Sequence, residues 1–313
     1  MDLRQLATLA AIAEHGSFSG AARALFTVQS NVSAHLARLE KELGVTLVDR
    51  KLGQLTEAGI LVLGRARAIQ REVDAVYDDL ASLGEDVSGD ARLGVIGTTA
   101  RWLMPQLLTA VRDAHPRVRA IVVEASTTSL LPQLMSGQLD LAVVNLPLDD
   151  PDLVADPLFA EDLVVLAAMT HPLAEHDEVT LAELARHRLV LPAPGTALRE
   201  DLEDEARRAG VTLQPLAEID GVRLLASLAF EGFGAAIVPA TAVPGWLKGP
   251  FKRVRVPGLP RRVVGVARRR RSAVGAPARA VQDLLVHVVL TKGPRQPGVH
   301  VMTPHEPPPS PAR

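Results

Sequence analysis

The chain has 313 residues, a formal net charge of −2 and no cysteine. This length allows two or more hydrophobic cores, and no apolar run is long enough to span a membrane. The absence of cysteine excludes disulfides, thiolate zinc sites and thiol redox switches. Because the net charge is close to zero, any surface that binds nucleic acid must be a local basic patch.

The N-terminal segment contains a short apolar run, LATLAAIA, directly after Arg4. Glu14 and His15 follow this run at once, without the cleavage context of a signal peptide. The run also fits one face of an amphipathic helix. We therefore predict a helix over residues 1–15 and a cytoplasmic protein.

Residues 17–44 predict a helix, a tight turn and a second helix. Ser17 can cap the first helix, and Phe26 and Thr27 form the turn, with Thr27 expected to cap the second helix. Gly44 follows the second helix, where a left-handed residue commonly ends a helix. One apolar stripe runs along the second helix, because its apolar residues recur every three or four positions: Val32, Leu36, Leu39 and Leu43.

The opposite face of this second helix is small and polar, with Ser30, Asn31, Ala34, Ala37, Arg38 and Lys41, flanked by Gln29 and Ser33. Small side chains allow close approach to base edges, and Gln and Asn can bond bidentately to adenine. Arg38 and Lys41 suit phosphates, which position a helix on DNA. The pattern predicts a helix-turn-helix whose second helix lies in the major groove. An ordinary amphipathic helix with a solvated polar face is the alternative.

A small hairpin, or wing, is predicted by short strands at residues 46–48 and 54–55. Arg50 and Lys51 lie at its tip, where they could contact the DNA backbone or the minor groove. The alternative is a solvated hairpin tip.

A long helix follows, capped by Thr56. Its apolar residues alternate four and three apart: Val62, Ala66, Ile69, Val73, Val76, Leu80 and Leu83. A heptad seam of this length favours pairing with a partner helix. Packing against the chain's own domain is the alternative.

Beyond the polar segment GEDVSGD, strands and helices alternate, which predicts a parallel-rich α/β architecture. The first lobe is expected to contain strands at residues 93–96, 119–124 and 141–144. Near Glu161 the chain crosses into a second lobe, and a strand at 263–267 returns to the first. A closing helix at 277–290 precedes a Pro-rich segment that we predict to be disordered.

Hydroxyl and amide side chains follow the predicted strands: Thr98, Thr99, Ser126, Thr127 and Asn145 in the first lobe and Thr196 in the second. Ligands of two-lobed α/β folds bind at such strand ends, where free N–H groups at helix N-termini favour anions. We therefore expect a small anionic ligand, although helix capping explains the hydroxyls equally well. Because no metal-ligand spacing, dinucleotide fingerprint or nucleophile motif accompanies them, we predict no metal, no cofactor and no enzymatic activity.

The first 65 residues closely resemble the DNA-binding domain of LysR-type transcriptional regulators, through MDLRQL, EHGSFSGAARAL, VQSNVSAHLARLEKELGVTLVDR and LTEAG. The resemblance implies a winged helix-turn-helix over residues 1–56, with Gln29, Ser33 and their neighbours facing DNA. It also implies a linker helix over residues 57–84 that pairs two subunits. The chain departs from the family pattern at Val28, Ser30, Asn31 and Ala34, and its wing is short.

Residues 90–290 resemble the effector-binding domain of the same family, through ARLGVIGTTA, SGQLDLAVV, EDLVVLAAMTHPLA and EGFGAAIVP. The resemblance implies a two-lobed α/β fold like that of periplasmic solute receptors. Lobe I would cover about residues 90–160 and 265–290, lobe II about 161–264, and a tail 291–313. The family's effector contacts fall at places equivalent to Thr98, Thr99, Ser126 and Thr127.

The function implied by the resemblance is sequence-specific transcriptional regulation. Double-stranded DNA and a small-molecule effector would be the partners of a homodimer or homotetramer that does not bind membranes. The family includes peroxide sensors that work through cysteine, and this chain cannot use that route because it has none. The alternative is a solute-binding protein with a vestigial helix-turn-helix, which the missing export signal disfavours.

Overall fold

A computed structural model describes residues 1–50, 53–81, 87–243, 245, 247–271 and 274–302. Within these ranges, no helix is both long and apolar enough to cross a bilayer.

The N-terminal head is built on three helices, α1 (Leu3–His15), α2 (Phe18–Ala24) and α3 (Gln29–Leu43). Their apolar faces share one core, in which Leu36 and Leu39 are fully buried. Ser17 caps α2 as predicted, because its hydroxyl accepts a hydrogen bond from the Gly20 amide. Gly44 ends α3 with a left-handed φ of 71°, also as predicted.

The start of α3 differs from the prediction. Val28, not Thr27, is the N-cap, and no side chain caps the helix. The Thr27 hydroxyl instead accepts a hydrogen bond from Asn31 Nδ2 at 2.9 Å. Phe26 supplies the turn with a left-handed φ of 51°, and its side chain is 98% exposed. Among the described residues, the first amide groups of α3 therefore have no side-chain cap.

The wing consists of β1 (Val48–Asp49) and β2 (Gln54–Leu55), which pair antiparallel. It is attached to the predicted recognition helix through Glu40, whose Oε1 accepts a hydrogen bond from the Leu47 amide at 2.8 Å. This contact orients the hairpin relative to α3.

The long helix α4 (Glu57–Ala81) begins after Thr56, whose hydroxyl accepts the Gly59 amide at 3.0 Å. At about 1.5 Å per residue its 25 residues span roughly 37 Å. The predicted heptad seam divides into two parts. Ala66 is buried in the head core, whereas Val76 and Leu80 are 57% and 60% exposed. The seam's last member, Leu83, lies outside the described residues.

Lobe I contains six strands, β3 (Ser88–Val95), β4 (Arg117–Glu124), β5 (Leu141–Leu146), β6 (Leu153–Glu161), β12 (Arg262–Arg269) and β13 (Val299–Val301). Their order in the sheet is β13-β6-β12-β5-β3-β4. The strand β3 is parallel to β4 and β5, and β12 is antiparallel to β5 and β6. Three helices belong to this lobe, α5 (Gly97–Ala114), α6 (Thr127–Met135) and α10 (Ala276–Lys292).

Lobe II contains five strands, β7 (Leu163–Ala168), β8 (Arg188–Pro192), β9 (Gln214–Ile219), β10 (Ala235–Pro239) and β11 (Phe251–Arg255). Their order is β11-β7-β10-β8-β9. Its helices are α7 (Leu181–Leu184), α8 (Ala197–Arg208) and α9 (Val222–Phe230). The chain crosses between the two sheets at Asp162 and again over residues 256–261. Short 3-10 helices occur at Pro172–Glu175, Ala240–Ala242 and Gly293–Arg295.

The prediction of a disordered tail from residue 291 is wrong for residues 291–302. The helix α10 continues to Lys292, and β13 then pairs antiparallel with β6 at the edge of lobe I. Val299 is buried in the lobe I core, which stabilises the added strand. The remainder of the predicted tail, residues 303–313, lies outside the described residues. Sequence reasoning also missed β6, β9, β11 and α9.

Candidate nucleic-acid interface and ligand cleft

The outer face of α3 presents the predicted DNA-facing side chains together. Gln29, Ser30, Asn31 and Arg38 are exposed, and Ser33 and Ala34 are half-buried beside them, toward the apolar stripe. This face is free because Val32, Leu36 and Leu39, on the opposite side, hold α3 against the head core. A helix that is anchored on one side and polar on the other can enter a major groove.

The predicted wing residues are less well placed. Arg50 is exposed, and its Nη2 lies 3.5 Å from Glu40 Oε2, so part of its charge is offset within the head. An exposed pair of this length contributes little to stability, and a phosphate could take the place of the carboxylate. Lys51 lies outside the described residues.

Two exposed apolar residues of the head were not recognised from the sequence as surface features. Phe26 is 98% exposed and lies in the turn, and Val28, the N-cap of α3, is 59% exposed. The signal for this exposure is their position in the turn, outside the three- and four-residue spacing of the apolar stripe.

The predicted effector site begins where β3 passes into α5. Thr98 and Thr99 lie in the first turn of α5 and are buried, and the N-cap is Ile96, which has no side chain that can cap. Thr98 Oγ1 accepts a hydrogen bond from Arg262 Nη2 at 2.7 Å. The Thr99 hydroxyl has no hydrogen-bond partner among the described residues. Helix capping therefore does not explain these two hydroxyls.

The segment that follows β4 contacts β5 through Thr127. Ser126 caps α6 by accepting the Ser129 amide at 3.3 Å, and Thr127 Oγ1 accepts the Asn145 amide at 3.1 Å. Asn145 Oδ1 is buried and has no partner within the described part of the chain. A buried acceptor of this kind requires a donor from water or a ligand. Thr127 and Asn145 are thus joined by a hydrogen bond, and Asn145 leaves one buried acceptor without a partner among the described residues.

Thr196 in lobe II is a local cap. Its hydroxyl accepts the Arg199 amide at 3.3 Å and donates to the Ala193 carbonyl at 2.8 Å. Arg199 is buried and its Nη1 lies 2.8 Å from Glu218 Oε1, which offsets its charge. For Thr196, the capping explanation accounts for every hydrogen bond that the described residues provide.

The crossing between the lobes holds a buried ion pair. Arg262 Nε donates to Glu161 Oε1 at 2.7 Å, and Glu161 is completely buried. Glu161 Oε2 also accepts the Thr241 hydroxyl at 2.7 Å. Because Thr98 accepts from the same guanidinium, the pair links α5 of lobe I to the 3-10 helix after β10 of lobe II. The sequence signal is the pair of adjacent carboxylates, Glu161 and Asp162, in the otherwise apolar run from Leu158 to Ala168.

Two sequence-family descriptions match the chain. Residues 3–60 match "Bacterial regulatory helix-turn-helix protein, lysR family", and residues 84–289 match "LysR substrate binding domain". The chain belongs to the LysR family. It is therefore a LysR-type DNA-binding transcriptional regulator with an effector-binding domain, and the reading as a solute-binding protein is set aside.

Relatives of this LysR-type regulator include "DNA-binding transcriptional dual regulator OxyR" of Escherichia coli K12, 30% identical over 293 residues, covering 92% of this chain and 95% of the relative. "Probable hydrogen peroxide-inducible genes activator" of Streptomyces viridosporus is 37% identical over 246 residues, covering 77% and 78%. Full-length OxyR from Pseudomonas aeruginosa has a similar fold, with a TM-score of 0.74, 22% identity and coverage of 93% and 95%.

A polar junction joins the linker helix of this LysR-type regulator to lobe I. Arg71 of α4 donates a hydrogen bond to the Ser136 carbonyl, beside a cavity of about 380 Å³. Burial, together with the positive charge of the neighbouring Arg269, lowers the pKa of Arg71 to about 10. Burial also raises the pKa of Asp140, although a hydrogen bond from the Arg92 amide opposes this shift. The junction provides a direct contact between the helix that carries the head and the lobe that contains Thr98.

Proposed function

We propose that this regulator contacts DNA through the exposed face of α3. In this proposal the residues near base edges are Gln29, Ser30, Asn31, Ser33 and Ala34, and those near phosphates are Arg38, Arg50 and Lys51. The observation that carries the proposal is that Gln29, Ser30 and Arg38 project from a helix whose other side is fixed in the head core. The uncapped amides at the start of α3 are further donors for a phosphate.

We propose that two copies pair through α4. The stripe of Ile69, Val76 and Leu80 is 36%, 57% and 60% exposed, which is unfavourable for a helix in water. A second copy of the same helix would cover these side chains. Pairing also doubles the phosphate contacts of a chain whose net charge is only −2. The assembly is a homodimer, or a homotetramer built from such pairs.

The effector in this proposal is a small anionic molecule that binds between the lobes. Its contacts are Thr98, Thr99, Ser126, Thr127 and Asn145 of lobe I, with Thr196 contributing the cap of α8 on the opposite lobe. The unpartnered Thr99 hydroxyl and Asn145 Oδ1 support this placement. Lobe movement would reach α4 through the contact between Arg71 and Ser136.

The chemical signal in this proposal differs from the one in the name of the Streptomyces viridosporus relative. That protein is a probable hydrogen peroxide-inducible genes activator, whereas this chain contains no cysteine and therefore has no thiol that peroxide could oxidise. We propose effector binding, without thiol oxidation, without catalysis and without a cofactor, in the cytoplasm where the DNA is.

The test is selection of DNA by the full chain from a random duplex library, followed by binding measurements on the selected and scrambled duplexes. We expect a sequence-specific complex whose affinity falls steeply with salt. A chain that binds selected and scrambled duplexes equally at every salt concentration would contradict the proposal.

A further inference from the structure

The N-terminus of α5 lies at the cleft without a cap. Its N-cap, Ile96, provides no side-chain acceptor, whereas Ser126 caps the neighbouring helix α6. The amides of the first turn of α5 carry the positive end of a helix of 18 residues. An anion at this position would be stabilised by these amides.

The protein places one of its own carboxylates there. Glu124 is the last residue of β4, and a Cβ built on Gly97, the first residue of α5, would lie 2.9 Å from Glu124 Oε1. The same point lies 3.5 Å from Arg223 Nε. A side chain at position 97 would require the Glu124 carboxylate to move away from the helix start, whereas Arg223 would stay in ordinary contact distance.

The arginine comes from the other lobe. Arg223 lies in the first turn of α9, and its Nη2 is 2.8 Å from Glu124 Oε1. The Glu124 carboxylate is therefore held between the helix start of lobe I and a guanidinium of lobe II. The arginine is 65% exposed, so the ion pair is accessible to a competing anion in solution.

A second feature of the same helix turn points to a ligand. Thr99 is completely buried, and its hydroxyl has no hydrogen-bond partner among the described residues. Thr98, beside it, is already bound to Arg262. A buried hydroxyl next to an uncapped helix start can donate to one oxygen of a carboxylate whose other oxygen accepts backbone amides.

We propose that Glu124 occupies the position of the effector's anionic group, and that a small carboxylate displaces it and pairs with Arg223. This inference rests on the proposed role of the cleft as the effector site. In the absence of ligand the Glu124–Arg223 ion pair joins the lobes, and in its presence the ligand joins them in place of Glu124. Arg223 is then the residue that selects an anionic ligand. Glu124 competes with that ligand and lowers the affinity of the site for it.

The two residues give opposite effects on anion binding, which makes the proposal testable before the effector is identified. The probes are sodium acetate and its uncharged analogue acetamide, titrated into the full chain at constant ionic strength. Binding is followed by tryptophan fluorescence, because Trp102 lies one turn beyond Thr98 in α5, and by thermal unfolding.

Glu124→Gln removes the competing charge, and we expect it to raise the apparent affinity for acetate at least about threefold. The double variant Glu124→Gln with Arg223→Gln should lose this gain. Glu178→Gln is the matched control. It removes an exposed carboxylate that lies 3.3 Å from the Arg255 guanidinium and does not contact the start of α5. Acetamide should bind none of the proteins detectably.

The proposal is overturned if Glu124→Gln and Glu178→Gln bind acetate equally, if the gain survives loss of Arg223, or if acetate binds to no variant. Binding of the selected duplex is measured on the same preparations. If the unaltered chain does not bind the selected duplex specifically, the proposed function is contradicted. The acetate titrations test the role of Glu124 independently of that result.

Discussion

The carboxylate of Glu161 and the guanidinium of Arg262 form an ion pair at the crossing between the lobes, with exposed side-chain fractions of 0% and 10%. Both groups also bind hydroxyls, Thr241 on one side and Thr98 on the other. Both charged residues lie on lobe I strands, and the hydrogen bond from Thr241 connects the buried pair to lobe II.

Removing one charge of this pair should destabilise the effector-binding domain. Glu161→Gln leaves the Arg262 guanidinium buried without its counter-charge, and we expect a loss of about 3–5 kcal/mol in the free energy of unfolding. Urea unfolding followed by fluorescence measures this loss. Glu178→Gln, which breaks an exposed pair, should cost less than about 1 kcal/mol. Similar losses in the two variants would show that burial of the pair has no energetic consequence.

The two kinds of contact proposed for α3 should differ in sequence dependence. Gln29→Ala should reduce the preference for the selected duplex over scrambled DNA by about 1–3 kcal/mol, because a base contact is lost. Arg38→Ala should weaken binding to both duplexes and reduce the salt slope by about 1. Arg207→Ala, an exposed arginine of α8, serves as the control. The assigned roles would be refuted if Gln29→Ala weakened binding to both duplexes equally, or if Arg38→Ala weakened binding to the selected duplex alone.

The exposed stripe of α4 can be tested without disturbing the protomer. Val76→Glu places a charge in the proposed contact between copies, and we expect monomers at concentrations where the unaltered chain is paired. Because Val76 is 57% exposed, the protomer itself should lose no more than about 0.5 kcal/mol. Gln70→Glu adds the same charge beside the stripe and should leave pairing intact. Sedimentation velocity measures the state of each, and a paired Val76→Glu protein would contradict the proposal.

The junction between α4 and lobe I should make stability depend on pH. Burial raises the pKa of Asp140 above 3.8, so in the folded chain this carboxyl binds a proton more readily than in the unfolded chain. Its contribution to stability therefore falls as pH rises from 3.8 through the folded pKa, and is least favourable at neutral pH. Asp140→Asn should remove this dependence, which urea unfolding at several pH values would detect. Asp113→Asn, at an exposed carboxylate, is the control.

The features that were predicted correctly from the sequence are those encoded within a few residues. Ser17 caps α2, Gly44 ends α3 and Thr56 caps the start of α4, because each of these depends on hydrogen bonds or dihedral angles of the local backbone. The apolar stripe of α3 was also evident, since three- and four-residue spacing places side chains on one face of any helix. Thr27 was the exception, because its hydroxyl bonds to the side chain of Asn31.

In the linker helix α4, the sequence pattern predicts the apolar seam but not which of its residues are buried. All members of the heptad seam have the same apolar character, yet Ala66 is buried against the head and Val76 is exposed. The difference depends on where the head ends along the helix, and no residue of the seam encodes that position. The strand at Val299–Val301 was missed for a related reason, since its partner β6 lies more than a hundred residues earlier.

Local spacing in the chain thus predicts the helix-turn-helix, its polar face, and part of the order of strands and helices that follows. The contacts that shape the cleft arise from folding over long distances: Glu161 and Arg262 are 101 residues apart, and Thr98 and Arg262 are 164 apart. Such pairs become neighbours through the strand order of the lobe I sheet. A periodic pattern specifies which face of an element is apolar, but it carries no information about which distant side chain will lie against it.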